Sequence, residues 1–223
     1  MSFTDVTGTW TQPAVTCPKG KTSSVALWVG LGGYSLDSPA LEQTGTEVDC
    51  DVDGSATYYA WYELVPADSV TLKMKVNAGD TITSSVVAKS GRVLVQMKNR
   101  TRHWTFTKWL NASQLDLTSA EWITEAPSQC AASSNDCTTL PLAKFTPVKF
   151  SRIAATGNGS PGTLTNSAWL VTQFKLVPLS QRPQHSGRFF GDAGSSSGTS
   201  GATATDTVDG TSFTVGWVAK PSG

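Results

Sequence analysis

Glu121, Glu125 and Gln43 are the side chains whose types and setting could move protons in this chain. Glu121 stands beside Trp122 in "TSAEWITEAPSQC" (118–130), a run that reads as a strand, and Glu125 follows four residues later. Side chains alternate along a strand, so the two carboxyls share a face. Their backbones are then ~13 Å apart. Carboxyl pairs that cleave glycosides sit about 5 Å apart in retaining enzymes and up to ~9.5 Å apart in inverting ones, so this pair fits poorly. Gln43, in "LEQTG" (41–45), shares its face with Leu41 and Gly45. A primary amide donates two hydrogen bonds and does not titrate in the useful range. Paired with a carboxylate that takes a proton from water, it supplies an electrophile and a general base without His, Ser or metal. With an ordinary Glu pKa of about 4.3, such a base suits acid conditions. Glu and Gln on strands more often face solvent. Trp28, Trp61 and Tyr62 read equally as core filling or as a platform for stacking sugar rings.

Other motifs match in letters only. "GSSSG" (194–198) lacks the strand before and helix after that a nucleophile elbow needs. "GNGSPG" (157–162) contains Pro161 and precedes no helix, which removes its phosphate-binding rationale. His103 and His185 have no Cys or carboxylate at ligand spacing, so no metal centre and no cofactor is expected. His103 reads as the first residue of a strand.

Of 223 residues, 15% are charged, with 17 Lys+Arg against 17 Asp+Glu. This balance gives no electrostatic case for nucleic acid or an anionic membrane. No run reaches the roughly 20 apolar residues of a spanning helix. Cys17, Cys50, Cys130 and Cys137 form an even set without C-x-x-C spacing. Two disulfides, Cys17–Cys50 and Cys130–Cys137, are the expected pairing, with four buried thiols as the alternative. Disulfides imply an oxidising compartment, and so a secreted, mature domain. No secretory h-region follows Met1.

The elements that must carry these residues are short strands. "SSVALWVGLGG" (23–33) is a buried strand and turn, "ALEQTGTEVDC" (40–50) alternates, "DVDG" (51–54) turns, and "ATYYAWYELVP" (56–66) stops at its proline. Three strands fill 70–99, with Asn-Ala-Gly-Asp and Lys-Ser-Gly-Arg as turns. Further strands are expected at 103–110, 119–126, 144–156, 167–177 and 212–218, with long loops at 126–142 and 180–206. The spacing predicts an all-β sandwich over residues 1–223 as one domain.

Four segments in order, "LWVGLGG" (27–33), "LEQTG" (41–45), "AWYEL" (60–64) and "AEWITE" (120–125), resemble the glutamic peptidase family, the eqolisins. The likeness is good over 25–125 and weaker beyond. It implies a concanavalin-like sandwich of two large bent antiparallel sheets, with a polypeptide substrate across the concave face. It also implies a secreted, monomeric acid endopeptidase whose dyad is Gln43 and Glu121, with Trp28, Trp61 and Glu63 lining or supporting the substrate site. The chain departs from the family pattern at Glu42, Gly32, Glu47 and Tyr59, where an apolar residue and three aspartates are usual. Fewer proton-sharing carboxyls imply a less extreme acid optimum.

Overall fold

The computed structural model describes residues 1–35, 38–130, 137–178, 195–196, 200–205 and 209–219. Every regular element among them is a strand. In chain order these are β1 (Phe3–Thr11), β2 (Val15–Thr16), β3 (Ser23–Gly32), β4 (Leu41–Cys50), β5 (Ala56–Val65) and β6 (Val70–Leu72). There follow β7 (Thr81–Lys89), β8 (Arg92–Asn99), β9 (Trp104–Asn111), β10 (Ala120–Glu125), β11 (Ser128–Cys130), β12 (Cys137–Thr139) and β13 (Lys144–Phe145). The last are β14 (Val148–Gly157), β15 (Ser160–Gly162), β16 (Lys175–Pro178), β17 (Ser195–Ser196), β18 (Gly201–Ala204) and β19 (Ser212–Val218).

A five-stranded antiparallel sheet runs β10-β3-β4-β5-β6. A ten-stranded sheet runs β17-β16-β18-β19-β14-β1-β7-β8-β9, with β15 paired to β14. All its pairings are antiparallel except β16 with β17. The inner faces of the two sheets enclose one apolar cluster. Val25, Leu27, Val29 and Leu31 of β3 meet Val6 and Trp10 of β1, Ile82 and Val86 of β7 and Val93, Val95 and Met97 of β8. β3 reads as an unbroken apolar run because its other face is covered too, by a second cluster of Ala26, Trp28 and Trp61. A strand buried on both sides loses the polar alternation of a half-solvated one.

Cys17 and Cys50 form a disulfide, as expected, and it ties the end of β4 to the segment after β2. Closing a loop of this length contributes about 3–4 kcal/mol in the chain-entropy picture. Cys130 and Cys137 face each other in backbone register across β11 and β12. Their side chains, and with them the second expected disulfide, lie outside the described residues.

Several expectations need correction. His103 does not begin a strand; it sits in a turn at φ 54°. The run 144–156 is two strands, because Thr146 and Pro147 leave the ladder between β13 and β14. Most of 167–177 is turn and coil, and only its last residues enter β16. Part of the loop expected at 180–206 is strand, at β17 and β18, and most of the rest lies outside the described residues. The loop expected at 126–142 holds β11 and β12.

Candidate active site

Strand register brings the expected dyad together. Glu121 pairs with Gly30, Gly30 with Gln43, and Gln43 with Glu63. One transverse row across β10, β3, β4 and β5 therefore reads Glu121–Gly30–Gln43–Glu63, all on the outer face. Two strand spacings put the backbones of Glu121 and Gln43 about 10 Å apart, with a residue lacking a side chain between them. A Cβ on Gly30 would lie 3.0 Å from Trp28 Cζ3 and 3.2 Å from Gln43 Cβ. The next row on this face reads Ile123–Trp28–Gly45–Trp61. Trp28 fits there because Gly45 yields its space; a Cβ on Gly45 would be 2.6 Å from Trp28 Cβ and 2.2 Å from Leu27 O.

Hydrogen bonds fix the side chains of both rows. Gln43 Nε2 donates to Glu63 Oε2 at 2.5 Å. Gln43 is 6% exposed, and its Oε1 has no partner. Ser119 Oγ donates to Glu121 Oε1 at 2.9 Å, and Trp28 Nε1 donates to Glu125 Oε1 at 2.9 Å. Trp122 points the other way, as its alternation with Glu121 requires. Its indole N–H donates to Thr7 O at 2.8 Å, and the ring lies over Gly8 of β1, where a Cβ would be 2.9 Å from Cδ1. β10 is thus anchored to the opposite sheet by the neighbour of Glu121.

The outer face gathers carboxyls whose affinity for protons is raised. Burial, aided by the charge of Asp116, lifts Glu121 to about 7 against the pull of the Ser119 hydrogen bond. Burial lifts Glu125 to about 7, with Glu63 and Glu121 adding repulsion against the Trp28 bond. Burial and Asp49 lift Glu47 to about 8, although Tyr59 donates to it. Burial also raises Glu63 against the Gln43 bond. Asp116 behaves oppositely: burial works against its charge, but bonds from Ser38, Thr118 and the Gly33 N–H outweigh it and hold the carboxyl below its usual range. Among the described residues, no three His, Cys, Asp or Glu side chains are grouped to hold a metal ion.

The model of the Peptidase A4 family matches residues 1–181. The chain belongs to that family. Within the Peptidase A4 likeness, scytalidopepsin B of Scytalidium lignicola is 30% identical over 154 residues, covering 66% of this chain and 57% of the relative. Aspergillopepsin-2 of Aspergillus niger is 29% identical over 181 residues, covering 71% and 61%. The chain thus spans about three-fifths of the length of these curated relatives. A crystal structure of scytalido-glutamic peptidase with a peptide-based transition state analog superposes with TM-score 0.74 at 25% identity, over 97% of this chain and 93% of that one. The eqolisin SCP-B, solved in complex with the tripeptide Ala-Ile-His, shares the fold at TM-score 0.66 and 23% identity, with the same coverage. The all-β sandwich read from sequence is the Peptidase A4 fold.

The competing readings of this Peptidase A4 face lose their geometry. Tyr62 faces the core and stacks on Phe106 at 5.7 Å between centroids, so it cannot join a sugar platform. Trp28 and Trp61 are 2% and 5% exposed and offer no flat ring to a ligand. For a carboxyl pair, Glu63 is three strands from Glu121, about 14 Å by backbone spacing, with Gln43 between. Sequence reasoning quoted Gly30 and Gly45 within motifs but assigned them no task, and it missed Ser119. Two glycines opposite large or polar side chains are a usable signal only once the register is known.

Proposed function

We propose that the protein is an endopeptidase active in acid, in which Gln43 and Glu121 activate a water for attack on a peptide bond. The observation that carries this is the row Glu121–Gly30–Gln43, in which the residue between one acid and one amide has no side chain of its own to fill the space between them, a space bordered by the Trp28 ring edge. Glu121, ionised, takes a proton from water in that space as the water attacks the scissile carbonyl. The Gln43 amide stabilises the oxyanion that forms. Glu63 accepts one Gln43 N–H, which orients the amide so that the other N–H is free for the oxyanion. Glu121 then returns the proton to the leaving amine. Trp28 and Trp61 hold the floor beneath the substrate. No covalent intermediate or cofactor is required.

Glu121 is the group that sets the acid limb. A base near 7 loses its ionised form about tenfold for each pH unit below that value. The reading therefore places the acid limb of kcat/KM near pH 7, with cleavage in weak acid carried by the fraction of Glu121 that stays ionised there. The polypeptide substrate is supported by the peptide-derived ligands of the matched structures. Secretion is supported by the Cys17–Cys50 disulfide. A monomer suffices, since every residue named comes from one sheet of one chain.

The test is digestion of a denatured protein between pH 3 and 7, with and without pepstatin. Pepstatin-insensitive cleavage is expected. Glu121→Gln and Gln43→Ala should each lower kcat/KM by at least ~10³-fold with an unchanged far-UV spectrum. Cleavage persisting in Glu121→Gln would remove the assignment.

A further inference from the structure

β10 is the edge of the five-stranded sheet, with β3 on one side and no strand on the other among the described residues. Just beyond the end of the strand, the Gly32 N–H donates to Ser119 O at 3.1 Å. That makes 32/119 a hydrogen-bonded pair, and alternation makes 30/121, 28/123 and 26/125 hydrogen-bonded pairs too. The N–H and C=O groups of Ala120, Trp122 and Thr124 therefore point away from β3. Thr124 Oγ1 also lacks a partner.

These groups face a groove of about 500 Å³, within the range of ligand sites. Phe3, Leu176, Phe213 and Val215 line its depth, and Tyr34, Trp169, Leu170 and Phe174 line its rim. Leu170 is 91% exposed, and the rings of Tyr34 and Phe174 touch at 5.8 Å, each about half exposed. Among the described residues, no Lys, Arg or Asp lines the groove, and the one acidic residue that does is Glu121. An unpaired strand edge facing an unpartnered apolar wall is a place where an extended chain can add.

We propose that this groove binds an apolar, extended stretch of the polypeptide substrate as a sixth strand on β10, three or more residues from the scissile bond. The proposal rests on Glu121 being the catalytic base. Glu121 and Ser119 line the groove as well as the catalytic row, so the two surfaces are continuous. A strand added to β10 lies two strand spacings, about 10 Å, from the space over Gly30, a distance spanned by three extended residues. Main-chain bonds to Ala120, Trp122 and Thr124 would give affinity, and alternate side chains entering the apolar wall would give preference for aliphatic and aromatic residues.

The test uses the Glu121→Gln protein, so that binding is read without turnover. Fluorescent peptides carry a five-residue Val/Thr/Tyr tail placed four residues before or after the scissile position, and Kd is read by anisotropy. For one of the two tail placements, N-methylation of alternate tail residues should weaken binding at least ~10-fold in one register and little in the other. Leu170→Asp, a change at an exposed site, should weaken the tailed peptide and leave a tail-less one unchanged. Equal effects of both methylation registers, or indifference of both tailed peptides to Leu170→Asp, would overturn the proposal. Cleavage of the tail-less peptide by the unsubstituted protein reports separately on the dyad. If that cleavage fails while the register effect holds, the groove stands as a peptide site and the reading of Glu121 falls.

Discussion

On the outer face of the five-stranded sheet, Glu47, Glu63, Glu121 and Glu125 are half-buried, and each receives a hydrogen bond, from Tyr59, Gln43, Ser119 and Trp28 respectively. On the inner face Glu42 lies between Leu31 and Leu64 in register, is 1% exposed, and has no partner for Oε2. Burial raises the proton affinity of both sets; Glu42 reaches about 8, helped by the charge of Asp116. What differs is the setting: each outer carboxyl is oriented by a donor and remains partly exposed, whereas Glu42 Oε2 is enclosed without one. Glu42 can only be neutral or costly, because a buried unpaired charge has nothing to offset its lost hydration.

The most severe way to break the outer face is to fill the space over Gly30. Gly30→Val should lower kcat/KM by about 10³-fold or more, since the branched side chain occupies the position of the water and pushes on Gln43 Cβ. Its Cβ would meet Trp28 Cζ3, Glu42 O and Gln43 Cβ at 3.0–3.2 Å, closer than ordinary packing, so a lowered Tm is expected beside the loss of activity, with a folding transition still present. Gly45→Ala makes the contrast: its Cβ would be 2.2 Å from a backbone oxygen, so loss of folding is expected instead. Steady-state kinetics with a melting curve separates the two, and an active Gly30→Val protein would place the water elsewhere.

Both faces together set how stability depends on pH. Glu42, Glu47, Glu121 and Glu125 all have folded-state values raised to about 7 or 8. Between about pH 4.5 and 8 the native state then binds more protons than the unfolded chain, so stability falls as pH rises. It is greatest in acid and lost as pH passes through 7 to 8. Tm should be lower at pH 8 than at pH 5 by at least about 5 °C. A flat or rising Tm over that range would mean that the carboxyls are not held neutral.

How far this arrangement could be read from sequence differs between its parts. β3, β4, β5 and the β7–β8 hairpin were legible, because apolar runs, alternation and the Ser90-Gly91 turn, both residues at positive φ, act locally. β1 was not, although it lies in the ten-stranded sheet between β14 and β7, because Thr, Gly and Asp dilute its pattern. Residues 167–174 misled in the opposite direction: Leu170, Val171 and Phe174 are apolar yet exposed, facing a groove in place of a ladder partner. Glu121 and Gln43 were named together through the family motifs. Spacing alone could not pair them, since the row that joins them depends on two strand registers across a sheet.

The inner face is the next to test. Glu42→Leu replaces a buried acid by an apolar side chain of similar size beside Leu31 and Leu64. It should stabilise the protein by about 1–3 kcal/mol at pH 8 and by less at pH 5, where Glu42 is already protonated. The slope of stability against pH should fall by about one proton over that range. Equal gains at both pH values would show that Glu42 is not the group whose ionisation costs stability.

The smallest expected effect sharpens the comparison most, because it separates holding a donor from holding a charge. Glu125→Gln keeps an oxygen to accept the Trp28 indole N–H but removes a carboxyl that repels Glu121. Activity at the optimum should change less than about 3-fold, and the acid limb of kcat/KM should move down by a fraction of a pH unit, since the base ionises more easily without a like charge nearby. Glu125→Ala leaves the indole N–H unpaired in a buried setting, which costs about 1–3 kcal/mol of stability and loosens the floor under the dyad. If the two variants lose activity equally, the charge matters and the hydrogen bond does not. If the limb moves up in Glu125→Gln, the two carboxyls do not oppose each other, and the outer face is no shared store of protons.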